Sequence, residues 1–186
     1  MFIQTEATPN PATLKFLPGQ PVLENGTLDI RNKAAAAQSP LAERLFDLPH
    51  VSGVFFGADF ISVTKADGEW QQIKPAVLGA IMEHYMSGAP LLASGTGTAA
   101  ADDEEFFDEK DADTVATIKD LIETRVRPAV AGDGGDITFR GYKEGVVYLH
   151  MKGACSGCPS STATLQHGIQ NLLQHFVPDV VEVRPV

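Results

Sequence analysis

Between Ser87 and Asp113 the chain runs SGAPLLASGTGTAAADDEEFFDEKDAD, and no packed core can be built through such a stretch. Small residues and glycines come first, then acids from Asp102 onward. Low hydrophobicity and self-repelling charge keep a segment of this kind extended and solvated. A chain of 186 residues interrupted there is two small domains of similar size, not one large one. The boundaries that follow are a first domain at 1–88, an acidic linker at 89–112 and a second domain at 113–186. Phe106 and Phe107 lie inside the acidic run and are candidates for local docking. No internal repeat relates the two halves.

Composition narrows the partners. The apolar fraction is 44%, with ten Phe and one Trp, enough for a core in each half. A formal net charge of −10 repels phosphate backbones and anionic headgroups, which argues against nucleic acid and against a membrane surface. No apolar run approaches the ~20 residues that span a bilayer. The opening MFIQTEATPNPATLKF has neither the basic start and apolar core of a secretory signal nor the arginines of a transit peptide. The only two cysteines are three residues apart and cannot staple a secreted fold. A soluble protein of a reducing compartment is expected, most simply the bacterial cytoplasm.

Both halves mix strands and helices, an α+β pattern. In the first, Phe2–Thr8, Leu14–Leu17 and Thr27–Ile30 read as extended, with a turn at Pro9-Asn10-Pro11. Ser39 is placed to cap a short helix over Pro40–Asp47. Val51–Phe56 and Phe60–Lys65 flank Gly57-Ala58-Asp59 as a hairpin. The segment KPAVLGAIMEHYM reads as a helix with Pro75 in its first turn and Val77, Leu78, Ile81, Met82 and Tyr85 as a core-facing stripe.

The second domain is expected to run α-β-β-α-β around a three-stranded sheet. Asp113 is placed to cap a helix carrying Val115, Ile118, Ile122 and Val126 at helical spacing. Gly132-Asp133-Gly134-Gly135 forces a turn. Ile137, Phe139 and Gly141 alternate with Thr138, Arg140 and Tyr142, and Val147, Leu149 and Met151 with Tyr148, His150 and Lys152. A helix from Pro159 is expected to bury Leu165, Ile169, Leu172, Leu173 and Phe176. Val181 and Val183 mark a last strand.

Several motifs fail on context. Gly95–Ala100 fits a loose GxGxxA pattern, but no strand precedes it and acidic linker follows. In Gly132–Asp136 the positions an EF-hand needs for oxygen ligands hold Gly135 and Ile137. No HExxH, Walker loop or Ser/His/Asp spacing occurs.

What remains is GACSGCPSS, Gly153–Ser161, with Cys155 and Cys158 where the second strand gives way to the helix. A buried, inert cysteine is the bland alternative. Here, however, Gly153, Ser156, Gly157, Ser160 and Ser161 leave the sulfurs uncovered. Pro159 suits a first helical turn, so both sulfurs are expected near the positive helix end, which favours thiolate. Thiolate serves redox exchange and metal binding alike. Zinc and iron–sulfur clusters prefer four protein ligands, and one chain supplies two, so a full set needs two chains. A thioredoxin-type pair usually follows an aromatic in a βαβ unit with parallel strands. Here Gly-Ala precedes Cys155, and the tight turn implies antiparallel strands. Metal assembly is the better reading, with a thiol–disulfide oxidoreductase as the alternative.

RPAVAGDGGDI at Arg127–Ile137 and GACSGCPSSTATL at Gly153–Leu165 resemble the NifU-type C-terminal domain. TPNPATLKF at Thr8–Phe16, SPLAERLF at Ser39–Phe46 and VFFGADFISVTK at Val54–Lys65 are similar to the Nfu N-terminal domain. The two halves occur in that family's order, and only the acidic linker is uncovered. The resemblance implies an iron–sulfur scaffold and carrier, not an enzyme. It implies a [4Fe–4S] cluster, with [2Fe–2S] as the other form, bridged between the subunits of a homodimer. Cys155 and Cys158 are the implied ligands. An upstream scaffold would supply the cluster and apo-proteins receive it, in a bacterial cytoplasm or in the mitochondrial matrix if the chain is a processed eukaryotic form. The glycines at 132, 134 and 135 are expected to be structural, supplying unusual backbone angles.

Overall fold

A computed structural model describes residues 2–24, 26–93, 105–155 and 159–186, with backbone alone at 159–161. The chain divides into two compact units, Met1–Ala100 and Ala101–Val186.

The first unit is an antiparallel sheet with helices on one face. Its strands are β1 (Gln4–Ala7), β2 (Thr13–Leu17), β3 (Leu28–Ile30), β4 (Val51–Phe56) and β5 (Ile61–Lys65), in spatial order β1-β2-β5-β4-β3. Between β3 and β4 lie α1 (Lys33–Ala36) and α2 (Pro40–Phe46), and α3 (Trp70–Ser87) follows β5. Phe16, Ile30, Val54, Phe56, Ile61 and Val63 from the sheet meet Leu41, Leu45, Ile73, Val77 and Ile81 from the helices. Ser39 caps α2 as its sequence implies, its Oγ accepting from Ala42 N at 3.3 Å. The short helix α1 was not expected; Asn32 caps it, accepting from Ala35 N at 2.7 Å.

Helix α3 departs from expectation at its start. It begins at Trp70, so Pro75 lies inside the helix and not in its first turn. Trp70 Nε1 donates to Pro11 O at 3.1 Å, and the amides of Gln72 and Ile73 bond back to Glu69 O. These contacts hold the first turn ahead of the proline. The buried stripe is accordingly Ile73, Val77, Ile81 and His84, while Met82 is 37% exposed.

The second unit is α+β with a three-stranded sheet. A helical stretch runs from Ala112 to Gly132 as α4 (Ala112–Leu121), a π turn (Ile122–Val126) and α5 (Arg127–Gly132). Pro128 has no N–H for the carbonyl of Thr124 and its ring crowds that carbonyl, which accounts for the widened turn just before it. The helix starts upstream of the expected cap. A 3-10 turn over Glu109–Asp111 leads straight into Ala112, so Asp113 lies within the first turn and does not cap it.

Then follow β6 (Gly135–Lys143), β7 (Val146–Gly153), α6 (Pro159–Phe176) and β8 (Glu182–Pro185), with sheet order β6-β7-β8. The period-two reading of β7 holds, with Val147, Leu149 and Met151 buried. In β6 it breaks at a bulge: Phe139 pairs with Leu149 and Gly141 with Tyr148, leaving Arg140 over. The extra residue turns Tyr142 inward to 5% exposure. Helix α6 buries Ile169 and Leu173, with Leu165 and Leu172 partly covered, but Phe176 at its end is 47% exposed. Val183 is buried and Val181 is 65% exposed.

The pairing of β8 corrects one premise. β6 and β7 are antiparallel, but β7 and β8 are parallel, so β7-α6-β8 is a βαβ unit. A row of glutamines on α6 pins that last strand. Gln174 Nε2 donates to Val181 O at 2.9 Å, Gln170 Oε1 accepts from Val183 N at 3.3 Å, and Gln166 donates to Val183 O. No described helix is long and apolar enough to cross a membrane.

Candidate functional site

The sequence points to the junction of β7 and α6. Of its two cysteines, Cys155 is described and Cys158 lies outside the described residues, together with Ser156 and Gly157. Cys155 is a free thiol, 6% exposed. It follows Gly153, whose φ of 65° lets β7 turn out of the sheet, and Ala154, which is buried.

Two hydrogen bonds anchor this exit. Ala154 N donates to Gly134 O at 3.2 Å, tying the cysteine segment to the turn that opens β6. Thr162 Oγ1, from the first turn of α6, donates to Cys155 O at 3.0 Å. The floor of the site is Gly135, paired across the sheet with Gly153. A Cβ on Gly135 would stand 2.6 Å from Lys152 O, 2.7 Å from Cys155 Sγ and 3.1 Å from Cys155 N. Only a hydrogen fits between β6 and the sulfur.

The three glycines of the turn therefore have separate duties. Gly134 alone has a positive φ, at 83°. Gly135 is required for space, and Gly132 has open surroundings at its Cβ position. The expectation that all three supply unusual backbone angles is corrected accordingly.

The turn is held by an ion pair that sequence reasoning did not single out. Asp136 is 4% exposed and receives Arg127 as a fork, Nε to Oδ1 at 2.9 Å and an Nη to Oδ2 at 3.0 Å. Asp136 Oδ1 also accepts from Ile137 N at 2.8 Å. Glu123, one turn earlier, accepts both short bonds from the other Nη of Arg127, at 2.9 and 2.7 Å. Bidentate geometry of this sort fixes orientation as well as charge. It clamps the end of the helix to the first residues of β6, beside Cys155. A charged residue between Gly135 and Ile137, at the mouth of an apolar strand, was the signal available in the sequence.

Electrostatics around Cys155 run against the expectation of a ready thiolate. Burial pushes its thiol up to about 12, and the nearby carboxylates of Asp133 and Asp136 add to the shift. Both disfavour a negative sulfur. In the single chain Cys155 is a protonated, shielded thiol. Among the described residues no three His, Cys, Asp or Glu side chains converge as a metal site elsewhere.

Residues 3–88 match the family described as "Scaffold protein Nfu/NifU N terminal", and residues 118–184 match the "NifU-like domain". The chain is 48% identical over 188 aligned residues to the human "NFU1 iron-sulfur cluster scaffold homolog, mitochondrial", covering all of this chain and 72% of that protein. The chain belongs to the Nfu/NifU scaffold-protein family. It is also 50% identical to "NifU-like protein 4, mitochondrial" of Arabidopsis thaliana, over 97% of this chain and 64% of that one. A Drosophila sechellia protein named as the human one is 52% identical, over all of this chain and 65% of its own length. Both Nfu/NifU segments thus fall in the order the sequence motifs imply, and Cys155 and its Gly134–Asp136 floor lie in the NifU-like one.

Proposed function

We propose that this protein is a carrier, not an enzyme, which holds an iron–sulfur cluster as cargo between two copies of itself. Cys155 and Cys158 of each copy are the ligands, two from each chain making the four that a [4Fe–4S] cluster takes. The observation that carries this reading is a lone cysteine pair at the β7–α6 junction of a scaffold-family chain. A site divided between subunits opens when they part, which suits transfer more than storage.

The cluster comes from an upstream scaffold and goes to apo-proteins. In this division of labour residues 113–186 hold the cargo, residues 1–88 recognise donors or clients, and 89–112 act as a tether. The relatives named above as mitochondrial favour the mitochondrial matrix; the bacterial cytoplasm offers the same reducing chemistry.

Anaerobic reconstitution with iron and sulfide tests the reading, with Mössbauer spectroscopy and mass measurement of the loaded species. The expected product is a brown dimer with about one [4Fe–4S] per two chains. Cys155→Ala and Cys158→Ala should each abolish it. A thiol–disulfide enzyme is the alternative reading, and the parallel β7-α6-β8 unit removes one argument against it without supporting it. A colourless protein that turns over a disulfide substrate would establish that one instead.

A further inference from the structure

β6 is an edge strand, and an edge offers unpaired backbone groups to any extended chain that meets it. The end of the acidic segment meets it at one place. Phe106 N donates to Arg140 O at 3.2 Å, and Phe106 O accepts from Tyr142 N at 2.9 Å, a parallel bridge onto Gly141. The ring of Phe106 fills the notch left by the missing side chain of Gly141, with carbons 2.4–2.5 Å from where a Cβ would stand. It also leans on Tyr148, centroids 5.1 Å apart. One residue earlier, Glu105 accepts from Lys119 Nζ with both oxygens, at 2.9 and 2.7 Å.

Three recognition elements are thus assembled at the bulge of β6: a backbone ladder, an aromatic notch and a cation for a carboxylate. They lie apart from the cysteine junction and are not accounted for by cargo binding. The occupant is also lightly held. Phe106 remains 43% exposed and Lys119 46% exposed on its side chain. An exposed ion pair of this kind adds little, and two backbone bonds alone hold a strand end only weakly. Neither Glu105 nor Phe106 is a member of the buried core, so such a contact can leave without opening it.

We propose that the β6 edge at Arg140–Tyr142 is a docking site for an extended, acidic, phenylalanine-bearing segment of a partner protein. Glu105 and Phe106 occupy it in cis until such a segment displaces them. The chemistry of the partner is read from the resident occupant: a carboxylate for Lys119, a phenyl ring for the Gly141 notch, and an extended backbone to add to the edge. A long aliphatic or basic segment satisfies none of the three together.

The probe is the free peptide DDEEFFDE, the sequence of residues 102–109, titrated into the isotope-labelled full chain and followed by amide chemical shifts. In the Glu105→Ala/Phe106→Ala double variant the peptide should move the amides of Arg140, Gly141, Tyr142 and Tyr148. In the wild-type chain its apparent Kd should be at least about tenfold weaker, because a tethered competitor is present. A peptide with both phenylalanines changed to alanine should not bind. Absence of shifts in the double variant, equal Kd in the two chains, or shifts away from β6 would each overturn the proposal. A second variant guards against a folding defect. Gly141→Ala fills the notch with the sequence of Glu105 and Phe106 unchanged and so expels the Phe106 ring, and the Tyr142 amide should exchange with solvent at least about tenfold faster. Unchanged Tyr142 exchange in that variant also overturns it.

Discussion

Replacing Gly135 by alanine perturbs the site by a single methyl group, placed where the floor of the cysteine segment leaves no room. The new Cβ would lie 2.6 Å from Lys152 O and 2.7 Å from Cys155 Sγ. Carbon atoms do not approach backbone oxygen that closely, and the oxygen belongs to a ladder residue paired with Asp136, so it cannot simply swing away. The strands must separate or the sulfur must move. Overpacking of this degree costs about 1–3 kcal/mol. In a unit of this size that lowers Tm by roughly 5–20 °C, using about 4–8 °C per kcal/mol. Scanning calorimetry of the full chain, with the transition of the second unit assigned by near-UV signals, reads the stability. Iron and sulfide content after reconstitution reads the site. Gly132→Ala is the control, since its Cβ meets nothing within 4 Å and the residue is helical. That change should be neutral or stabilising by up to about 1 kcal/mol. Equal stability and loading for Gly135→Ala and Gly132→Ala would refute the close-packed floor.

Other substitutions separate the remaining duties of the turn. Gly134→Ala should destabilise by about 1–2 kcal/mol because φ is 83° there, measurable by urea unfolding. Arg127→Gln leaves Asp136 buried without its fork and should cost about 3 kcal/mol, whereas Glu123→Gln, on the exposed side of the same guanidinium, should cost under about 1 kcal/mol in the same assay. In a Cys158→Ser chain, alkylation of Cys155 by iodoacetamide at pH 8 should be slow and should accelerate on unfolding, since the folded thiol is held up at about 12. The sign for stability follows: between the ordinary value of 9.0 and about 12 the folded chain keeps a proton that the unfolded chain loses, so stability falls as pH rises across that window. Deleting residues 1–88 should leave cluster loading intact but slow delivery to an apo-acceptor, followed by recovery of acceptor activity.

Periodicity carried most of the architecture. Val147, Leu149 and Met151 read directly as the inner face of β7, and Ser39 before Pro40 as a capped helix start, because each signal is local and its physics is short-range. What could not be read depended on contacts distant in sequence. Trp70 reaches back to Pro11 and so starts α3 five residues ahead of Pro75. Arg140 is extruded from the ladder because β6 and β7 differ in length between the same two pairings, which turns Tyr142 inward against its expected parity. At the site, the β7–α6 junction that carries Cys155 was legible, but the fork from Arg127 to Asp136 and the steric demand on Gly135 were not. Both arise where a helix end, a turn and two strands converge, and no single window of sequence contains all four.

The parallel pairing of β7 and β8 removes one of the grounds on which a redox reading was set aside, so the balance has to rest on others. A thiol–disulfide enzyme needs an attacking sulfur with substantial thiolate near neutral pH. Cys155 is placed in the opposite setting: 6% exposed, packed on Gly135 and flanked by Asp133 and Asp136, with no cation directed at it among the described contacts. Arg127, which clamps the adjoining Asp136, has its guanidinium committed to Asp136 and Glu123. Burial that makes a poor nucleophile is compatible with a ligand, because a metal centre displaces the thiol proton outright and supplies the positive charge that the protein withholds. The βαβ geometry then serves a different end. It directs the chain out of the C-terminal end of β7, where Cys155 packs on Gly135 and its carbonyl accepts from Thr162 of α6.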